Sequence, residues 1–158
     1  MQFDHFEIVG IAIEAGLSIM DVYDSSVQIE VQSKDDDSPL TKADIAAHKT
    51  IIRGLSTINP EVPVVSEEGR VGDPKKGELA WLVDPLDGTK EFIKRNGMFT
   101  VNIALMKRMG PHWKPIFGVV HAPVNRTTWF GGVDVPATKI TDAAVSYTHL
   151  TLPTMLPV

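Results

Sequence analysis

The sequence predicts a mixed α/β chain, and two patterns carry that prediction. Apolar residues recur at three- and four-residue steps from Phe3 to Tyr23, the period of a helix that buries one face. Short apolar runs follow it, each bounded by Pro, Gly, Asn or acidic residues as strands are. At 158 residues and 43% hydrophobic, the chain can bury one real core without a staple.

In the first helix the apolar positions are Phe6, Val9, Ile13, Leu17 and Met20, ending near Asp24-Ser25-Ser26. Val27, Ile29 and Val31 then alternate with Gln28, Glu30 and Gln32, the period of a half-buried strand. Lys34 to Pro39 reads as a polar, acidic loop. Thr41 is placed to cap a second helix, with Asp44 three residues on in capping-box spacing. Ile45, Ile52 and Leu55 mark its inner face, and Asn59-Pro60 ends it.

Beyond Pro63, Val64-Val65 is a short strand running into Ser66-Glu67-Glu68-Gly69, and Arg70 to Glu78 is a charged loop. Leu79 to Val83 is a second strand, stopped at Asp84-Pro85-Leu86-Asp87-Gly88-Thr89, with a short helix starting near Lys90. Thr100 to Met106 forms the third, and Ile116 to Val120 and Thr127 to Phe130 form a hairpin about Pro123 and Asn125. From Ala143 to Val158 no Asp, Glu, Lys or Arg occurs and neither period is kept. The expected division is therefore a domain over 1–142 and an atypical tail, disordered or foreign, over 143–158.

Composition excludes several functions. Cys is absent, which removes disulfide scaffolds and zinc ribbons and fits a reducing compartment. Fifteen Lys and Arg against 20 Asp and Glu give a net charge of −5 with no basic run, so a nucleic-acid polymer is not the partner. No signal peptide or spanning segment stands out, and the expectation is a soluble cytoplasmic protein. Peripheral membrane association and oligomeric state have no signature in the sequence.

Acids close two of the strands: Glu67 and Glu68 after Val65, and Asp84 after Val83, with Asp87 three residues on. Hard Mg²⁺ takes oxygen donors, a few carboxylates being completed by water and substrate phosphate. Glu67, Asp84 and Asp87 suit it, Pro85 limits the backbone so that the Leu86 carbonyl becomes a further candidate, and Gly88 and Thr89 offer backbone N–H groups at a helix start. A lone Asp-x-x-Asp-Gly is ordinarily a turn with a capped helix. The second acidic strand end points instead to metal-assisted phosphoryl transfer. Haloacid-dehalogenase-type phosphatases are the nearest rival, but their Asp-x-Asp spacing differs from the two-residue separation here.

The run from Trp81 to Gly97, Trp-Leu-Val-Asp-Pro-Leu-Asp-Gly-Thr-Lys-Glu-Phe-Ile-Lys-Arg-Asn-Gly, resembles the signature of the inositol monophosphatase superfamily. Lys34 to Asp44, Val65 to Glu68 and Thr100 to Leu105 support the resemblance, which spans Phe3 to Asp142. Lys90-Glu91-Phe92 favours its 3'(2'),5'-bisphosphate nucleotidase branch over the inositol phosphatases, which more often have Thr-Asn-Phe there.

The resemblance implies a layered α/β (α+β) fold, helices packed on a largely antiparallel sheet, and a lithium-sensitive, Mg²⁺-dependent phosphatase. Its substrate would be adenosine 3',5'-bisphosphate, converted to AMP in the context of sulfate assimilation. Carried over by motif, Glu67, Asp84, Asp87 and the Leu86 carbonyl hold metal. Gly88 and Thr89 hold phosphate, and Asp44 and Thr89 orient or deprotonate water. Lys34 falls where the family has a loop Lys near the metal, with a plain surface charge as the alternative. Asp44 reads equally as a helix cap, Glu68 as a solvated or supporting acid, and Lys90, Lys94 and Arg95 either as charges that draw an anionic nucleotide or, more commonly, as solvated helix charges. His48 reads as packed or surface, and Trp81 as core.

Family members continue well beyond this length and supply a Trp-Asp-x-Ala motif, whereas the three Trp here are followed by Leu82, Lys114 and Phe130. The tail resembles translated adapter sequence, so the expectation is a truncated form. Alternatives of the same fold are an inositol monophosphatase or sugar phosphatase, and an inactive metal-binding fragment.

Overall fold

The computed structural model describes residues 3–25, 38–141 and 150–151. The strand expected over Val27 to Val31, Lys34, and all of the tail except Leu150 and Thr151 lie outside the described residues.

Two long helices, α1 (His5–Ser25) and α2 (Pro39–Ile58), lie against one face of the sheet. In α1 the buried residues are Ile8, Val9, Ile11, Ala12, Ala15, Gly16, Ile19 and Tyr23. This corrects the expected face: Val9 faces inward, but Leu17 is 62% exposed. The reason is backbone proximity. Small residues let α1 and α2 approach so closely that a Cβ added at Gly54 of α2 would sit 2.6 Å from Ile11. Such a seam is marked by Ala and Gly, not by the largest side chains. Ser18 Oγ and Thr50 Oγ1 share a hydrogen bond of 2.9 Å across it.

The start of α2 also differs from expectation. Ser38 is the N-cap, accepting from the Thr41 backbone N–H at 3.0 Å, with Pro39 at the first helical position. Thr41 therefore lies inside the helix, and Asp44 is a buried second-turn residue instead of a capping partner. Its inner face runs Leu40, Ala43, Asp44, Ala47, Ile51 and Leu55, while Ile45 is exposed. The helix ends at Asn59 as expected, its N–H donating to Leu55 O at 2.9 Å.

The strands are β1 (Val64–Ser66), β2 (Gly69–Val71), β3 (Leu79–Asp87), β4 (Thr100–Met109), β5 (His112–Ala122), β6 (Thr127–Gly132), β7 (Val135–Thr141) and β8 (Leu150–Thr151). They form one sheet in the order β2-β1-β3-β4-β5-β6-β7-β8. Only the β1–β3 pair is parallel among them, so the sheet is largely antiparallel with helices layered on it, as expected. The charged stretch after Glu68 holds β2 and a 3₁₀ turn at Pro74–Lys76. From the tail, Leu150 and Thr151 pair with β7.

Strand β3 does not stop at Asp84. It continues to Asp87 through a register shift, Asp84 lying opposite Asn102 and Asp87 opposite Thr100. Pro85 has no N–H to give the ladder, so the chain bulges there without leaving the sheet. A third helix, α3 (Thr89–Lys94), follows at once.

Alternation along β3 sends Trp81 and Val83 into the helix-covered core and leaves Leu82 49% exposed on the opposite face. Trp81, Phe92, Phe99 and Phe117 are among the largest fully buried side chains, with Tyr23, Phe92 and Phe99 stacked at 5.0–5.4 Å between centroids. Trp81 is core, as read from sequence. Among the described residues, no helix is long and apolar enough to cross a membrane.

Candidate metal and phosphate site

Parallel pairing of β1 with β3 places Ser66 opposite Val83. The next residue on each strand is an acid, Glu67 and Asp84, and the Glu67 N–H donates to Val83 O at 3.3 Å, tying the two strand ends together. Asp44 comes from α2 behind them, only 3% exposed. The bulge then returns Asp87 to the same neighbourhood.

Electrostatics shows how tightly these acids are grouped. Burial is the largest influence on Asp84, followed by the charges of Glu67 and Asp87, and together with a smaller contribution from Asp44 they push its carboxyl up to about 6. A backbone hydrogen bond from Leu86 works in the opposite direction. Asp84 Oδ1 is buried and has no hydrogen-bond partner. A buried carboxylate oxygen without a donor, among three more acids, is an unmet demand for positive charge.

A hard divalent cation fits that demand. The donors are all oxygen, and a cation would reverse each of the repulsions acting on Asp84. Among the described residues no three His, Asp or Glu side chains close on a single point as a finished cage does. The acids are gathered, with Glu67 and Asp87 exposed at the rim of the group.

Asp87 is held from the neighbouring strand. Asn102 Nδ2 donates to Asp87 Oδ2 at 2.9 Å, and Thr100 Oγ1 donates to Asn102 Oδ1 at 3.1 Å. Sequence reasoning quoted Asn102 only within a supporting strand. A polar residue between the buried Val101 and Ile103 was the available signal, but its partner is fixed by cross-strand register.

Gly88 precedes α3 with φ 109° and ψ 52°. A Cβ there would meet Phe99 Cα at 3.1 Å and the Met98 carbonyl oxygen at 3.2 Å, so conformation and space both require glycine. Its carbonyl accepts from Phe92 N–H at 2.9 Å, while the first-turn N–H groups, Thr89 included, have no helical partner. Thr89 itself is exposed. The Leu86 side chain is buried, anchoring the backbone between the two aspartates.

Other sequence candidates separate from this cluster. The Arg95 guanidinium lies 4.1 Å from the Tyr23 ring centroid, a packing role. Lys90 and Lys94 are exposed. His48 is half-buried, its Nδ1 3.0 Å from Ser66 Oγ.

A cleft of about 370 Å³ begins at Glu67, Asp84 and Asn102 and runs over the face of the sheet away from the helices, past Leu82, Ala104, Gly118 and Val120. Its charged end and its apolar floor are thus continuous.

The sequence pattern of the inositol monophosphatase family matches residues 3–145. The chain is 51% identical over 130 residues to the 3'(2'),5'-bisphosphate nucleotidase CysQ of Salmonella typhimurium, covering 78% of this chain and 50% of that protein. With the protein of the same name from Escherichia coli K12 it shares 56% over 124 residues, 75% and 47% of the two chains. The crystal structure of CysQ from Bacteroides thetaiotaomicron superposes with a TM-score of 0.76 at 38% identity, over 95% of this chain and 54% of that one. A native crystal structure of the extragenic suppressor protein suhB from Bartonella henselae gives 0.68 at 28% identity, over 85% and 51%. The chain spans about half the length of the curated relatives it matches.

Proposed function

The chain belongs to the inositol monophosphatase family, and from that premise we propose that it carries the metal and phosphate site of a Mg²⁺-dependent 3'(2'),5'-bisphosphate nucleotidase, which removes the 3'-phosphate of adenosine 3',5'-bisphosphate to give AMP. The observation that carries this reading is Asp84: a buried, partnerless carboxylate oxygen beside Glu67 and Asp87. The names of the relatives supply the substrate class.

Glu67, Asp84, Asp87 and the Leu86 carbonyl hold the cation. When bound there, Mg²⁺ supplies positive charge that activates water near neutral pH and offsets charge on the transferring phosphoryl group. Gly88 and Thr89 seat the phosphate through backbone N–H groups, and the Thr89 hydroxyl is close enough in sequence to serve the same phosphate. Asp44, buried and fixed on α2, orients the attacking water with Thr89 and takes its proton. The water oxygen bonds to phosphorus as the bond to the ribose 3'-oxygen breaks, and that oxygen leaves as a hydroxyl with a proton taken from solvent, to which Asp44 returns its own. No covalent phosphoenzyme is needed. Lys34, outside the described residues, is the loop Lys that the reading assigns to the phosphate. Removal of such a nucleotide in the cytoplasm suits sulfate assimilation.

The test is phosphate release from adenosine 3',5'-bisphosphate by the 158-residue chain, with and without Mg²⁺ and Li⁺, alongside inositol monophosphate and Asp84→Asn. Mg²⁺-dependent, Li⁺-inhibited release that is lost in the variant supports the reading. Faster release from inositol monophosphate transfers the site to an inositol phosphatase. Folded chain that binds Mg²⁺ yet releases nothing leaves a binding half without turnover, a second reading favoured by the uncovered apolar face at Leu82 and Val120.

A further inference from the structure

Asp44 and His48 are four residues apart on α2 and so share one face of the helix. Asp44 stands behind Asp84. His48, one turn on, reaches the end of β1, where its Nδ1 is 3.0 Å from Ser66 Oγ. The same oxygen accepts the Glu68 backbone N–H at 3.3 Å. Ser66 therefore joins the helix to the turn that carries Glu67.

Ser66 pairs with Gly69 across the β1–β2 hairpin, leaving Glu67 and Glu68 as the whole connection. Glu67 is exposed, so packing does not fix its direction. Its backbone N–H donates to Val83 O, and the next N–H, of Glu68, is tied to Ser66. Burial pushes His48 below the ordinary imidazole value, with Glu68 opposing that shift. A neutral ring offers one donor and one acceptor, and the hydroxyl can meet either.

We infer that His48 is a positioning residue: through Ser66 it holds the Glu67-Glu68 turn so that Glu67 stands beside Asp84 ready to share a cation. The inference rests on the proposed metal role of Glu67 and Asp84. It assigns to His48 no contact with substrate or metal.

The experiment is calorimetric titration of the full chain with Mg²⁺, comparing parent, His48→Ala, Ser66→Ala, the double variant and His48→Asn. Residues that orient metal ligands typically cost about tenfold or more in affinity when removed. Each single Ala variant is expected to weaken Mg²⁺ binding about tenfold, and the double variant no further, because both changes break one link. Asn, whose amide reaches where Nδ1 stood, is expected to restore most of the loss. Amide exchange at Glu68, followed without Mg²⁺, is expected to quicken in His48→Ala. If that variant does not fold, Ser66→Ala carries the comparison. Unchanged Mg²⁺ affinity in a folded Ala variant, or losses that add in the double variant, would overturn the role of His48 alone. A parent chain that binds no Mg²⁺ overturns the metal reading on which it rests.

Discussion

Asn102 lies opposite Asp84 in the β3–β4 ladder yet reaches across the bulge to Asp87, its Nδ2 donating to Asp87 Oδ2 at 2.9 Å. Thr100 binds the amide oxygen of Asn102 and so turns its nitrogen toward the acid. Asp87 is thereby held by one side chain while keeping its other oxygen available.

Replacing Asn102 by Ala removes that hold. Mg²⁺ affinity is expected to fall about tenfold, the usual scale for losing a group that orients a metal ligand, with a change in melting temperature of only a few degrees. Titration and a thermal melt on the same sample check it.

Asp84 sets a pH dependence of unusual sign. Its carboxyl is raised to about 6 in the folded chain, while an unfolded Asp titrates near its ordinary value of about 3.9. Between these values the folded state binds more protons, so without metal this group adds stability as pH falls through about 6. Asp84→Asn is expected to melt higher than the parent at pH 7 and to lose that advantage by pH 4.

His121 acts in the opposite sense. Burial lowers it to about 4, and its Nδ1 is 2.8 Å from Thr128 Oγ1. The unfolded ring takes a proton first, so stability that is complete above about pH 6.5 is lost as pH falls toward 4, a linkage effect of about 3 kcal/mol at most. The two groups offset each other in the parent chain. Acidification is expected to destabilise Asp84→Asn more steeply than the parent, and His121→Gln less steeply, in melts from pH 7 to 4. Gly16→Ala, whose Cβ would fall 2.6 Å from His121 Cδ2, should cost about 1–3 kcal/mol through overpacking.

Gly88→Ala meets both a left-handed backbone and the Phe99 and Met98 main chain. A cost of about 1–3 kcal/mol is expected in denaturant unfolding, together with loss of phosphate turnover, since α3 must shift to admit the methyl group.

Much of this arrangement is legible in the residues themselves. Trp81 reads as core within an apolar run, and acids at the ends of apolar runs mark Glu67, Asp84 and Asp87, because strand composition and strand termination are local properties. The inner face of α1 differs from the expected one because it runs through the small residues Ala12, Ala15 and Gly16, the last packed against His121, while the larger Leu17 faces solvent. Ser38, not Thr41, caps α2, since Pro39 already fixes the first turn. Strand β7 went unseen behind Pro136, whose ring argues against a strand yet is tolerated where that residue is exposed. The links from Asn102 to Asp87 and from His48 to Ser66 join segments 15 and 18 residues apart in sequence, and no local pattern encodes which residues register makes neighbours.

The one parallel pair among the described strands, β1 beside β3, also bears on how the chain assembles. Strands β4 to β7 are each next to their successor in sequence and joined by tight turns, so they can zip up through short loop closures that cost little entropy. Joining β1 to β3 instead spans the β2 hairpin and the 3₁₀ turn, and it is this longer closure that brings Glu67 to Asp84. Repulsion between the acids then opposes the final step. The unfolding rate is consequently the quantity most sensitive to a divalent cation: a ligand bound only after that closure slows escape from the native state far more than it hastens arrival.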